Sequence, residues 1–320
     1  MSYSGVLTNM EQEFYKSNKL NKEKMHQLLP KSNHPASIRF LIMFTLFLAT
    51  ATMVVLCWEQ SWWKFALALF GFGIMGCSLF ACQHETIHNT AFKSMRLNRI
   101  AAFACGVGNL YAPTAFRELH FTHHRHTHEP GKDPEISLGA KPLPSVVSTL
   151  PAYMGWISGF PLLMFKLMML LFGALGMPDI IRKRWFPFIR NAEKIKIAFE
   201  SAFTLCVYAG IAAMAILFYP GFWGLFIGQA VSHCLLAGYL IIEHSGLPHK
   251  GTILEKTRSI KTNRFIKLLM WNMPYHAEHH AYPGVPFHAL PKLHKEIFNE
   301  LVHKEEGHID FHLKVMQNKI

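Results

Sequence analysis

The chain has 320 residues, 51% of them hydrophobic and only 16% charged, with a formal net charge of +12 at neutral pH. Soluble domains carry about 25% charged residues, so this composition argues against a water-soluble globular protein and for one embedded in a bilayer. Basic residues that flank apolar runs suit an anionic membrane surface, and nucleic acid is not expected as a partner.

In chain order, residues 1–37 are polar and lysine-rich. They read as a cytosolic amino-terminal arm with no cleavable signal peptide. Four apolar stretches then reach the roughly 20 residues that a helix needs to cross a bilayer: 40–58, 63–82, 197–218 and 222–242. Short connections around Glu59–Trp62 and Tyr219–Gly221 pair them as two hairpins. With both hairpin tips outside, Lys64 alone among the 32 Lys and Arg falls near a tip, which is the cytoplasmic excess expected of short inner segments.

Two more apolar stretches, 100–116 and 153–176, are interrupted by Gly106, Gly108 and Pro113 in the first and by Pro161 and Lys166 in the second. Both read as interfacial or re-entrant. The expected architecture is an all-α integral membrane protein, multi-pass, with four transmembrane helices and a cytosolic histidine-rich helical cap. Residues 38–293 form one membrane domain, and 294–320 form a cytosolic carboxy-terminal helix rich in Lys and Glu. All six cysteines lie in apolar runs, with no spacing that suggests a metal or redox pair.

Membrane insertion does not explain 20 histidines, and ionisable residues at a membrane usually mark function. The first group, His84-Glu85-Thr86-Ile87-His88, continues the second span and places His84 and His88 on one helix face. Alone it also fits the zinc-protease signature, in which the glutamate is the base. The second group is His120-Phe121-Thr122-His123-His124, followed by Arg125, His126, Thr127 and His128. Three histidines at positions one, four and five of a helix put two on one stripe and the third on its neighbour, so one turn can serve two metals. His276-Ala277-Glu278-His279-His280 repeats that spacing, framed by Trp271, Met273, Tyr275 and Tyr282. Between them, His244 ends the fourth span within Glu243-His244-Ser245-Gly246. His233 reads as a packed polar residue of that span rather than a tenth ligand.

Eight or nine convergent imidazoles are too many for one ion, since zinc takes four ligands and an octahedral ion six. Two ions are implied. Glu85, Asp133, Glu135, Glu243 and Glu278 are candidates to accept the outer N–H of ligating histidines. Phe80, Phe92, Leu110, Tyr111 and Trp271 are candidates to line an apolar substrate tunnel. Arg117 and Arg125 are candidates to meet an anionic headgroup.

In order, the set His-x3-His, His-x2-His-His, Glu-His-Ser-Gly and His-x2-His-His resembles the membrane fatty acid desaturase and hydroxylase superfamily over about two-thirds of the chain. Trp271-Asn272-Met273-Pro274-Tyr275 and Tyr282-Pro283-Gly284-Val285-Pro286-Phe287 are similar to bacterial acyl desaturases and to the dihydrorhizobitoxine desaturase-like branch. The resemblance implies a non-haem di-iron centre with dioxygen as co-substrate, and an active site on the cytosolic face. Its metal ligands would be His84, His88, His120, His123, His124, His244, His276, His279 and His280, with no further catalytic residue. It implies desaturation of a fatty acyl or lipid-like substrate, with hydroxylation of a lipid or terpenoid as the alternative on the same scaffold. An external electron donor of ferredoxin or cytochrome b5 type follows, since His34-Pro35-Ala36-Ser37 departs from the haem-binding His-Pro-Gly-Gly of a fused cytochrome b5. An intramembrane zinc protease leaves the two His-x2-His-His groups unexplained. A metal transporter predicts more ionisable residues inside the spans than Glu200 and His233.

Overall fold

The computed structural model describes residues 20–320, so the first 19 residues of the amino-terminal arm lie outside the described part. A short helix, α1 (Lys22–Leu28), is capped by the Asn21 side chain, which accepts from the Glu23 backbone N–H. Four helices are long and apolar enough to cross a membrane, or up to five if a bent pair counts as one span. They are α2 (His34–Leu56), α3 (Trp62–Ile87), and two that each begin with a 3-10 turn and continue as α9 (Lys194–Leu217) and α10 (Trp223–His244).

Burial separates their roles. The most apolar window of α3 is 67% buried and that of α2 only 17%, so α3 is the central post and α2 offers most of its surface to lipid. α3 packs against α2, α10 and a shorter helix, α4 (Met95–Gly108). Close approach of α10 depends on Gly76, where a Cβ would come within 2.1 Å of the Ser232 hydroxyl oxygen. Small residues let membrane helices meet in this way. At 26 residues and 1.5 Å rise, α3 is about 39 Å long, against about 30 Å of hydrocarbon. The helix is therefore longer than the apolar layer is thick, and His84 lies in its last turn.

Residues 100–116 do not form one interfacial element. α4 stops at Gly108, Leu110 takes a φ of 55°, and Pro113 starts a new helix, α5 (Pro113–His126), whose buried face carries the second histidine group. Proline is favoured in a first helical turn because it has no N–H to leave unpaired. A two-stranded antiparallel ribbon follows, β1 (Ser137–Leu138) with β2 (Lys141–Pro142). The stretch 153–176 also divides, into α6 (Leu150–Ile157) and α7 (Phe160–Ala174), bent by 53°. The bend sits at Gly159, whose φ is +73°. A short helix α8 (Asp179–Trp185) leads to α9.

After α10 come β3 (Arg258–Ile260), α11 (Arg264–Leu269), α12 (His276–Ala281) and α13 (Leu290–Ile297). The tail after Leu293 is not one helix. It finishes α13, forms β4 (His303–Glu305) parallel to β3, and ends in α14 (His308–Met316). The reason lies in what the tail covers: Phe311 and Val315 of α14 pack with Ile241, Ile242 and Ile260, so the segment buries apolar surface beside the end of α10. A separate cluster of Met25, Leu28, Tyr275, Tyr282, Leu290, Leu293 and Ile297 seats α12 on α1 and α13.

Candidate metal centre

Nine histidines gather in two groups. His84, His88, His120, His124 and His279 form one, and His123, His244, His276 and His280 the other. Within each group, one nitrogen from every ring lies within 4.8 Å of all the others. Helix geometry explains the sorting. Residues four apart share a face, so α5 gives His120 and His124 to the first group and His123 to the second. α12 does the reverse, giving His276 and His280 to the second and His279 to the first. The end of α3 supplies His84 and His88, and the end of α10 supplies His244. The groups meet where the His124 and His280 rings stack at 4.2 Å.

The donor set suits cations. In the second group every outer nitrogen faces an acceptor or carboxylate. His123 Nδ1 lies 3.0 Å from both Asp133 oxygens, and His244 Nδ1 donates to the Lys256 carbonyl at 2.9 Å. His280 Nδ1 lies 3.4 Å from the Thr127 hydroxyl, and His276 Nδ1 lies 3.5 Å from Glu243. A neutral ring that donates from Nδ1 carries its lone pair on Nε2. Yet these Nε2 atoms face one another, 2.8 Å apart for His244 and His276 and 3.3 Å for His123 and His280. In the first group, Nε2 of His120 lies 2.8 Å from that of His88 and 2.9 Å from that of His124. Both ring nitrogens of His84 are buried without a hydrogen-bond partner. Converging lone pairs are repulsive unless a cation lies between them, so the residues present fit two bound metal ions.

The protonation states agree. Burial first, then the neighbouring imidazoles, hold His120, His124, His276 and His280 well below the ordinary histidine value, and His279 is held down to about 3. Neutral imidazole is the ligating form. His123 differs: burial pulls it down, but Asp133 and Glu135 together outweigh that and lift it to about 9. Positive charge is favoured at that ring, and a metal ion held by the second group would supply it without a proton.

Residues 60–311 match the family model described as fatty acid desaturase. The chain belongs to the fatty acid desaturase family. This desaturase is 24% identical over 281 residues to the sphingolipid delta(4)-desaturase DES1 of Homo sapiens, covering 84% of this chain and 77% of that protein. It is 27% identical over 286 residues to the sphingolipid delta(4)-desaturase DES1 of Drosophila melanogaster, covering 85% and 78%. It is 24% identical over 256 residues to the sphingolipid delta(4)-desaturase/C4-monooxygenase DES2 of Mus musculus, covering 76% and 69%. Family membership makes it an oxidoreductase that desaturates a lipid.

Around the histidines of the desaturase, the carboxylates divide. Asp133 is buried and also accepts from the backbone N–H groups of His128 and Glu135, at 2.7 and 2.9 Å, so it is fixed before it meets His123. Glu135 lies 3.6 Å from His123 but is partly open to solvent. Glu85, the base of the protease reading, is turned to the Thr90 hydroxyl at 3.3 Å and lies 3.4 Å from His84. Glu278 departs from expectation: it binds Ser259 at 3.0 Å and His294, not a clustered histidine. His233 donates to the Gln229 carbonyl and lies in neither group. Arg117 binds the Ile87 carbonyl and lies over the Phe121 ring, and Arg125 binds Thr122. Phe80, Phe92, Leu110, Tyr111 and Trp271 are all buried in the main apolar core.

Sequence reasoning missed one anchor. Glu200, inside α9, accepts from the backbone N–H and the hydroxyl of Thr114, both at 2.8 Å. It satisfies an otherwise unpaired N–H in the first turn of α5 and so fixes the helix that carries His120, His123 and His124. A carboxylate in an apolar span was the available signal.

Replacing Asp133 with Asn keeps the shape and removes the charge opposite His123. Losing such an outer partner typically lowers metal affinity by about 10–100-fold. Metal retained after dialysis against a graded chelator series should fall accordingly, and retention equal to wild type would remove Asp133 from the site.

Proposed function

We propose that the chain is a dioxygen-dependent, di-iron membrane oxidoreductase that introduces a double bond into a lipid of the sphingolipid class. The observation that carries the reading is the division of each His-x2-His-His turn between two nitrogen clusters. Buried, neutral imidazoles suit iron, and the relatives named above supply the substrate class. All nine clustered histidines act as ligands, within a catalytic unit spanning 38–293 and completed by the tail. Bound iron would supply the one-electron chemistry by which dioxygen attacks an unactivated C–H bond. The protein's own part is positional. Glu200 and Asp133 fix α5, the cluster of Tyr275, Leu290 and Ile297 fixes α12, and the buried rings keep water from the reacting methylenes.

The spans form two hairpins with the histidine cap on the cytosolic side, as the distribution of Lys and Arg supports. Electrons arrive from a separate ferredoxin-like or cytochrome b5-like protein. A second reading, hydroxylation on the same scaffold, is favoured by the double name of the mouse relative. Lipid mass spectrometry of cells expressing the chain with a competent reductase decides: sphingolipids lacking two hydrogens are expected, and a gain of one oxygen would establish the second reading. Lipids unchanged under active reductase would refute both.

A further inference from the structure

Away from the histidine clusters, a second set of buried polar groups collects among the apolar helices. Lys166 on α7 is fully buried. Its ammonium donates to the Asn109 carbonyl at 3.3 Å and lies 5.3 Å from the Phe80 ring and 5.2 Å from the Tyr111 ring. On α10, Gln229 donates to the Gly108 carbonyl at 2.9 Å and to the Tyr208 hydroxyl at 2.7 Å. The bland role of both side chains is to cap the last carbonyls of α4. That role uses one of three ammonium N–H groups and leaves the Gln229 Oε1 atom without a partner.

Three further buried atoms have no partner: Gln83 Oε1, Asn109 Nδ2 and His233 Nε2. Gln83 is held here because its amide N–H donates to the Tyr111 carbonyl at 2.8 Å. His233, one helical turn after Gln229, donates from Nδ1 to the Gln229 carbonyl at 2.7 Å, so its Nε2 is an acceptor. Native interiors rarely leave so many polar atoms unpaired in one place. Donors remain on Lys166 and Asn109, and acceptors on Gln83, Gln229 and His233. Three of the groups left over are acceptors, which disfavours a carboxylate, and a plain methylene chain would satisfy none of them. A hydroxyl both accepts and donates.

We infer that Lys166, Asn109, Gln229 and His233 form a subsite for a hydroxyl group on the substrate lipid. Lys166 donates to the hydroxyl oxygen, and the hydroxyl in turn donates to an acceptor on α10. The place suits a register-setting role. One aromatic layer separates it from the first histidine group, since the Phe116 ring lies 4.6 Å from Tyr111 and 5.3 Å from Phe80 on one side and 5.5 Å from His120 on the other. An oxygen held there decides which carbons of the chain lie over the clustered imidazoles. The inference rests on the chain taking a lipid substrate, as proposed above.

The test measures equilibrium binding to the detergent-purified holoenzyme. The probes are labelled octadecanamide and a series of its monohydroxylated isomers, with the hydroxyl at successive carbons. One isomer, or two neighbouring ones, should bind at least about tenfold more tightly than the unsubstituted amide, because a site built for a hydroxyl rejects the analogue lacking it. Lys166→Met and His233→Leu should each collapse that ratio towards one. His233→Leu removes the unpartnered Nε2 and, besides it, one hydrogen bond to a carbonyl of its own helix, so it decides the matter if Lys166→Met does not accumulate folded. A wild-type enzyme that prefers no isomer, its polar groups serving only water, would overturn the inference, as would an unchanged ratio in the variants. Failure of the lipid reading is a different result, namely no binding of any probe together with unaltered cell lipids.

Discussion

Replacing His279 with alanine is expected to abolish product formation and to remove metal from one cluster while leaving a folded, membrane-inserted chain. The ring lies 4.6 Å from both His84 and His88 and 5.0 Å from His124, so it touches three of its four cluster partners. Its removal opens one side of the five-histidine group but takes no side chain from the other group. Activity should fall by about a thousandfold or more, equivalent to about 4 kcal/mol of transition-state stabilisation. Iron content should fall from about two per chain towards one. His126→Ala is the control, because that half-exposed ring lies in neither cluster and pairs with Glu129 at 3.6 Å. Full activity with both irons in the His279 variant would remove it from the centre.

Gly159→Ala is expected to act on the fold instead. The position combines a φ of +73° with contact against the backbone of α10: a Cβ would lie 2.3 Å from the Cys234 nitrogen and 2.4 Å from the His233 carbonyl carbon. Backbone, unlike a flexible side chain, cannot swing aside. Strain at a left-handed residue costs about 1–3 kcal/mol and overpacking about 1–3 kcal/mol more. Thermal unfolding of the detergent-solubilised variant should show a large drop in midpoint, or the chain should fail to accumulate. Gly155, where a Cβ meets nothing within 4 Å, should accept alanine with little change. Equal stability of the two variants would contradict this account of the α6–α7 bend.

What was legible in the sequence followed from periodicity and hydropathy. The spans stood out because every backbone group in lipid must be paired within the helix: the observed helices His34–Leu56 and Trp62–Ile87 contain most of the expected 40–58 and all of 63–82, the first starting earlier and the second ending later. The sorting of His120, His124 and His123 between two stripes followed from 3.6 residues per turn. Contacts between distant parts of the chain were not legible. Nothing in the sequence pairs Glu200 with Thr114, or selects Asp133 over Glu278 as the partner of a clustered histidine. The break at Leu110 was hidden because its signals, Gly106, Gly108 and Pro113, read as interruptions of one interfacial stretch and not as the border between two helices. The tail misled for a similar reason: its charged composition suggests a free helix, while apolar residues spaced along it, Ile297, Leu301, Phe311 and Val315, are buried against the rest of the protein.

The sharing of α5 and α12 between both nitrogen clusters has a thermodynamic consequence. Two sites built from the same helices would be coupled rather than fully independent, since an ion held in one would help to order α5 and α12 for the other. Loss of one cluster would then weaken, without abolishing, loading of the other.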